Sequence, residues 1–581
     1  MPSPTIKPIS SKTLFATRFG GINLADGTPL GEWEQLSGMD FSAYPALRTC
    51  TPFCRTPLPE GITGWTFCDG ELVYTVSDGI YTGGEKTELT LSDGEKTLVC
   101  MGAYIIILPD FIAVNTAAVP ITAEYGAESA ALNGTLIEEN TNITSPYINI
   151  HKDLYLQFQI DSEEFGKRMR RYTTGDRVEL SWTDSGGNDK TINLTFLHFD
   201  ATSGDLTIKT VFDTEGLDTN YFYITGEYGD GDAVRSAENV VMNLRRIPDM
   251  DFVVEHNNRL WGCSSKNHEI YCSALGKPLS WGAYEGISTD SWAATVGSAG
   301  DFTAAAVYGD SVLFFKEDCV HIVYGTKASN FTISTINLRG VQRGSHRSLC
   351  QSGGLLYYKA PDGIYAFNGS SAVKTDARLG DISAAAVGTA DDRNIIMITD
   401  SGTAYIYDCL HDCWYTRPLE NVKSAHSING RLYALTRDSS GNMAKVQLTG
   451  VRDNPYYDAE TEFCAVSGSI GRGEVFGYIK KLRLSIEQLY AYPLTAVSFT
   501  ISISCDGGDW QDVYTHDGEN VPEDKNTLVT APVIPLRCHS VRLRLAGRMK
   551  SSPRAAVPSL TLYGVYLDRE EGTEIGGKHQ H

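Results

Sequence analysis

The stretch Gly353 to Gly369 reads GGLLYYKAPDGIYAFNG. Two short aliphatic and aromatic runs, Leu355 to Tyr358 and Ile364 to Phe367, flank a Pro361-Asp362-Gly363 turn. Proline presets the backbone for a reversal and glycine tolerates the left-handed angles that end one, so the pattern predicts a β-hairpin. The same pattern recurs. GELVYTVSDGIYTG (70–83), NRLWGCSSKNHEIYCS (258–273), DSVLFFKEDCVHIVYG (310–325), RNIIMITDSGTAYIYD (393–408) and GRLYALTRDSSGNMAKVQL (430–448) all read as strand, turn, strand, and AYIIILPDFIAVN (103–115) is a compressed version.

Aligning the first strand of each hairpin puts Leu72, Ile105, Leu260, Val312, Leu355, Ile395 and Leu432 in register. The intervals are 33, 155, 52, 43, 40 and 37 residues. From Val312 onward each hairpin follows a strand of small residues, and DFTAAAV (301–307) and DISAAAV (381–387) are near copies. Four strands per unit at a period of roughly 40–50 residues is the signature of a β-propeller, whose innermost strands crowd a narrow axis. Stacked sandwiches sharing generic hairpins are the alternative. The fold class expected is therefore all-β: a propeller of six or seven blades, with an inserted small β-domain and a C-terminal β-sandwich.

The long interval holds the insertion. GDRVELSW (175–182), TINLTFLHFD (191–200) and GDLTIKTVF (204–212) alternate apolar with polar residues, as strands of a small barrel or sandwich do. DAVRSAENVVMNLRRIP (232–248) reads as an amphipathic helix, because Val234, Val240, Val241 and Leu244 can share one helical face and Pro248 would stop it. Past Leu448, GYIKKLRLSIEQL, AVSFTISISCDGGDW, CHSVRLRLAGR and SLTLYGVYLD alternate again, as antiparallel sandwich strands do. The expected domains are an N-terminal arm with the first blades (1–116), the insertion (117–248), the remaining blades (249–455), the sandwich (456–568) and a polar tail (569–581).

Across 581 residues, 49 basic and 71 acidic side chains leave a formal charge of −22. Such a surface repels nucleic-acid phosphates and argues against general DNA or RNA binding. The start, MPSPTIKPISSKTLF, shows no apolar run of export-signal type, and the apolar stretch at 104–114 is too short to span a bilayer. The 13 cysteines are scattered and paired only as Cys50/Cys54 and Cys409/Cys413, which does not suit a structural zinc site. They read as buried reduced thiols of a chain made in a reducing cytoplasm.

No GxSxG, HExxH, phosphate-binding loop or dinucleotide fingerprint is present, and the 12 histidines include no pair four residues apart. No cofactor and no metal is expected. SCDGGDW (504–510) resembles a sialidase Asp-box but reads better as a sandwich hairpin turn. Asp230 and Asp232 lie in an acidic, glycine-rich turn that lacks the ligand ladder of a calcium loop. The dense basic patch is GKRMRR: Lys167, Arg168, Arg170 and Arg171. On so acidic a chain these four suit either a solvated turn or contact with an acidic neighbouring subunit.

ATRFGGINLADGTPLGEWEQLSGMDFSAYPALRTC (16–50) is similar to the opening of a family of bacteriophage virion proteins. The matching positions are Phe19, Gly20, Gly21 and Asn23, then Met39-Asp40-Phe41 and Leu47-Arg48. Segments 256–281 and 353–369 resemble blades of the same group, which includes tail-hub or nozzle proteins of short-tailed phages, described as packaged-DNA stabilisation proteins. The resemblance covers roughly 16–115 and 250–450.

It implies a non-enzymatic structural subunit of a virion tail, made in the host cytoplasm and assembled as a ring, nozzle or hub around the DNA path. Its partners would be copies of itself, portal, adaptor or other tail proteins, and DNA sliding through an acidic lumen without sequence-specific binding. Two other functions fit an all-β scaffold: a receptor- or glycan-binding tail module presenting Trp510 and blade-loop tyrosines to host-surface glycan, and a propeller glycoside hydrolase, which needs two carboxylates flanking a sugar bond.

Overall fold

The computed structural model describes residues 10–25, 28–132, 159–160, 177–183, 189–199, 206–208, 221–225, 238–245, 247–282, 290–449, 457–470, 477–519, 526–533, 537–553 and 555–571. Strands dominate these residues. Two short 3-10 turns, Ala328–Asn330 and His346–Ser348, are the only helical elements among them. The chain folds as two compact units, Ile62–Asn337 and a discontinuous one made of Met1–Gly61 with Leu338–His581.

Unit Ile62–Asn337 holds four blades, each a four-stranded antiparallel meander. Blade 1 comprises Gly64–Cys68, Glu71–Val76, Gly79–Thr82 and Glu85–Glu88, and blade 2 comprises Lys96–Met101, Tyr104–Leu108, Ile112–Asn115 and Thr122–Tyr125. Their innermost strands pair in parallel, Gly64 with Lys96 and Trp65 with Thr97. Blade 3 comprises Phe252–His256, Arg259–Ser264, Glu269–Cys272 and Trp292–Thr295, and blade 4 comprises Ala304–Tyr308, Ser311–Phe315, Cys319–Tyr324 and Thr332–Asn337.

The other unit holds three more blades. Blade 5 is Cys350–Ser352, Leu355–Ala360, Gly363–Phe367 and Ala372–Lys374, and blade 6 is Ala386–Ala390, Asn394–Thr399, Thr403–Asp408 and Cys413–Pro418. Blade 7 takes Val422–Ile428, Arg431–Arg437 and Met443–Gln447 from late in the chain, and its fourth strand, Cys54–Pro57, from the N-terminal segment. The β-propeller fold is thus built, among the described residues, from four such blades in one unit and three in the other.

Every one of the seven aligned apolar positions, from Leu72 to Leu432, falls on the second strand of its own blade. In blade 5, Ala360 pairs with Gly363 across Pro361-Asp362, and Gly363 takes a φ of +154°. A Cβ there would press on the Asp376 carboxylate at 2.6 Å, so glycine answers both the backbone and the space. The innermost strand of blade 4, Ala304–Tyr308, carries the small residues of the first copy, whereas in blade 6 only Ala386 and Val387 of the second copy lie on the strand Ala386–Ala390. Crowding explains their composition: a Cβ on Gly388 would lie 2.3 Å from the Ser348 carbonyl oxygen.

The insertion is a seven-stranded sheet in the order Ala127–Leu132, Glu238–Arg245, Arg177–Thr183, Asp189–Phe199, Tyr221–Thr225, Leu206–Ile208, Gln159–Ile160. Here the expected helix is corrected: Glu238–Arg245 is a strand. It pairs antiparallel on both sides, with Ala127–Leu132 and with Arg177–Thr183. Val240, Met242 and Leu244 also recur at period two, and ladder hydrogen bonds to two neighbours outweigh a helical spacing that the same residues fit by coincidence.

The C-terminal sandwich is built from both ends of the chain. One sheet runs Met39–Asp40, Leu47–Thr49, Ser559–Glu571, Gly477–Leu489, Asn526–Pro532, with Ser10–Ala16 on Ser559–Glu571 and Arg537–Cys538 on Gly477–Leu489. The other runs Trp33–Ser37, Glu460–Ser467, Val541–Lys550, Ala496–Cys505, Gln511–His516. Alternate residues Leu482, Leu484 and Ile486 face Phe499, Ile501, Leu543 and Leu545 in one buried cluster. SCDGGDW is the hairpin turn expected, with Asp506 and Gly507 both at positive φ.

Residues 10–49 are therefore not an arm preceding the blades. The strands Ser10–Ala16, Trp33–Ser37, Met39–Asp40 and Leu47–Thr49 belong to the sandwich, and Ser37 also pairs with Thr416, which joins this second sheet to the outer strand of blade 6.

The cysteine reading is corrected at one pair. Cys68 and Cys100 form a disulfide with a Cα–Cα separation of 6.3 Å. The parallel register of blades 1 and 2 brings them together: each lies four residues beyond the Gly64–Lys96 pair. The other eleven are free thiols, seven of them buried.

Candidate functional site

A concavity opens at the innermost strands of blades 5, 6 and 7. It is a cleft of about 620 Å³ whose polar walls are Gln351, Asp391, Asp392, Arg393, His426 and Ser427. A second cavity of about 320 Å³ shares Asp391, Arg393 and Gly430 with it and continues to Asp40, Asp408 and Arg417.

The turn between the first two strands of blade 6 sets the shared wall. The Asp391 carboxylate accepts hydrogen bonds from the backbone N–H of Arg393 at 2.8 Å and of Asn394 at 2.6 Å. The Ser352 hydroxyl of blade 5 donates to the Asp391 carbonyl at 2.8 Å. Arg393, thus aimed, donates to Asp408 from Nη2 at 3.0 Å and from Nε at 3.3 Å. Asp408 is buried and also accepts from the N–H groups of Leu410 and His411, with His411 Nδ1 at 3.2 Å. Arg417 donates to the Thr51 carbonyl and stacks 3.6 Å above the centre of the Phe53 ring, so the N-terminal segment forms part of the second cavity. Exposed Asp392 and Arg393 give the cleft both charge signs, suited to a polar ligand.

His426 Nε2 lies 2.9 Å from Ser424 Oγ, and burial pushes the imidazole down to about 4. A second pair of this kind lies in blade 4. His321 Nε2 is 2.7 Å from Ser298 Oγ while Nδ1 is 2.9 Å from Thr335 Oγ1, and burial again lowers its pKa to about 4. A serine nucleophile needs an imidazole that becomes cationic beside a carboxylate. At His321 the third group is a neutral hydroxyl and burial opposes the charge, so the pair fixes a loop.

Three buried lysines escaped the sequence reading: Lys96 pairs with Asp110 at 2.8 Å, and two more, Lys316 and Lys359, share a place in the repeat. Lys316 Nζ donates to the Ser298 carbonyl at 2.8 Å, and Lys359 Nζ donates to Gln342 Oε1 at 2.8 Å and to the Ala360 carbonyl. Burial lowers both, Lys359 to about 8. Each stands four residues after an aligned apolar position, Val312 and Leu355, and Ser264, Thr399 and Thr436 occupy the same place in blades 3, 6 and 7. That repeat of a buried polar residue was a usable signal.

Lys167, Arg168, Arg170 and Arg171 lie outside the described residues, as do Asp230 and Asp232. Trp510, singled out for glycan stacking, has the guanidinium of Arg544 at 4.7 Å and that of Arg542 at 5.4 Å from its ring centre. Among the described residues no group of three or more His, Cys, Asp or Glu could hold a metal ion, and no helix is long and apolar enough to cross a membrane.

No protein-family model matches the chain, and no curated protein matches it. Solved structures similar to it include BamB from Moraxella catarrhalis (11% identity, covering 68% of this chain and 99% of that one, TM-score 0.31). Others are Sqt1 from Saccharomyces cerevisiae (8%, 69% and 99%, 0.32) and the WD40 repeats of RRP9 (9%, 69% and 99%, 0.31). These similarities carry no functional argument.

Proposed function

We propose that this chain is a non-enzymatic structural subunit of a bacteriophage tail, acting as a ring, nozzle or hub component around the DNA path. One observation supports this above the rest: the residues that carry the resemblance are construction residues. Phe19 is buried, and the Ile22 N–H donates to the Trp414 carbonyl of blade 6 at 2.8 Å. The Trp33 N–H of the sandwich donates back to the Gly21 carbonyl at 3.2 Å, and the Asn23 amide donates to Glu32. The Phe-Gly-Gly-x-Asn element therefore ties a sandwich strand to a blade, as a part that must keep its shape under load would need. The charge of −22 suits a conduit that does not adsorb phosphate.

Mass photometry and negative-stain imaging of the full chain should show a closed assembly of several copies, and antibodies to it should label tails of virions from cells that make it. A chain that stays monomeric at every concentration and labels no virion overturns the proposal.

A second reading, a tail module that binds host-surface glycan, is favoured by the open cleft at Asp392 and Arg393. Micromolar binding on a glycan array, lost in Arg393→Ala, supports it. Silence against host-envelope polysaccharide removes it.

A further inference from the structure

We propose that Cys505 and Cys538 are a second disulfide site, one that cross-links the two sheets of the sandwich when the chain meets a small-molecule disulfide. Cys505 ends the strand Ala496–Cys505 of one sheet, and Cys538 ends the strand Arg537–Cys538 of the other. The backbone next to them is clamped. Asp506 N–H donates to the Ser540 carbonyl at 3.0 Å, and the Asp506 carboxylate accepts from the N–H of His539 at 2.9 Å and of Ser540 at 2.8 Å. Cys505 is itself in ladder register with Val541, three residues beyond Cys538. This clamp leaves the two thiols in hydrogen-bonding contact, Cys538 buried and Cys505 half-buried.

Thiols in contact across two packed sheets, held by one backbone hydrogen bond and two from backbone N–H groups to the Asp506 carboxylate, have little left to lose on bonding. Cys68–Cys100 shows that the fold accommodates a disulfide between strands.

The exchange balances with oxidised glutathione as the oxidant. The more accessible Cys505, as thiolate, attacks one glutathione sulfur; the S–S bond of glutathione breaks and the first glutathione thiolate leaves. The Cys538 thiolate then attacks the Cys505 sulfur of the mixed disulfide and expels the second glutathione. Two protein thiols lose two electrons and two protons, and one glutathione disulfide gains them as two thiols. Burial raises both thiols, Cys538 to about 12, so the thiolate fraction and the rate rise with pH.

The test is peptide mapping by mass spectrometry, without reduction, of the full chain held in native buffer at pH 8.5 with oxidised glutathione. The expected result is a peptide joining Cys505 to Cys538, removed by dithiothreitol. It should be accompanied by a melting temperature higher by a few degrees, a gain absent in Cys505→Ser and kept in Cys464→Ser. Recovery of both cysteines as alkylated free thiols, or linkage of either to a different cysteine, overturns the proposal. Should Cys505→Ser fold poorly, Cys505→Ala and Cys538→Ala serve the same comparison.

Discussion

Gly21 lies against the backbone of Trp414 so closely that a Cβ would sit 2.5 Å from its nitrogen and 2.6 Å from its carbonyl oxygen. Backbone cannot turn aside as a side chain can, so any larger residue must push the N-terminal segment off blade 6. Gly21→Ala is expected to cost about 3 kcal/mol, at the upper end of the range for overpacking. The check is urea denaturation of the full chain. A loss below about 0.5 kcal/mol would show that the contact is slack. Gly20→Ala, which meets the flexible Glu32 side chain instead, should cost less.

His321 gives the chain an acid-sensitive point. Its imidazole is 2% exposed and its pKa is lowered by burial, then by Lys316, from 6.5 to about 4. The folded pKa is below the unfolded one, so between pH 6.5 and 4 the unfolded chain binds a proton that the native chain resists. Stability is therefore whole above pH 6.5 and is lost as pH falls towards 4, by on the order of 3 kcal/mol at most. Comparing His321→Gln with the parent by urea denaturation from pH 7.5 to 4 isolates this contribution from that of the carboxylates. The variant should show the shallower decline, and equal slopes would refute the assignment.

Asp408 is the organising charge of the cleft. Replacing it by alanine strands Arg393, His411 and the N–H of Leu410 without their acceptor. The expected loss is about 3 kcal/mol, with Asp408→Asn losing less because an amide oxygen still accepts. Chemical denaturation measures the stability, and glycan or small-ligand binding measured on the same variants reports whether the cleft wall has moved. An unchanged midpoint in Asp408→Ala would mean that solvent already satisfies these groups.

The blades were legible because their contacts are local. Ala360 meets Gly363 three residues away, and the turn chemistry and the spacing of Leu72 to Leu432 carry that information in short windows. The same windows reveal strands at Ser10–Ala16 and Trp33–Ser37 but not their partners, since Ser10 pairs with Glu571 and Trp33 with Ser467. Period alone also failed at Glu238–Arg245, where neighbours on both sides decide what Val240 and Leu244 leave ambiguous. The Cys68–Cys100 bond depends on a parallel pairing between blades that no local pattern announces. Of the cleft, only the hairpin that carries Arg393 and Asp408 was read from the sequence; the Asp391 turn, the contact of His411 with Asp408 and the arrival of Thr51 and Phe53 beside Arg417 were not.

The insertion can be removed where it enters and leaves. Ala127 and Arg245 are antiparallel partners, so the two ends stand side by side, and Gly126 and Ile247 touch just outside them. Joining 126 to 246 through a short Gly-Ser linker needs little closure entropy. The remaining chain should fold with nearly the parent melting temperature, because the cores of blades 2 and 3, around Ile106, Leu260 and Tyr271, lie outside the excised residues. The excision is expected to block assembly into rings or tails, since it removes Lys167, Arg168, Arg170 and Arg171, the dense basic patch of an acidic chain. Reversing those four to glutamate in the full chain should weaken assembly without lowering the melting temperature, and the parent's assembly should weaken as salt is raised. Normal assembly of both variants would leave the insertion without a part in subunit contact, and failure of the excised chain to fold would show that its boundaries lie elsewhere.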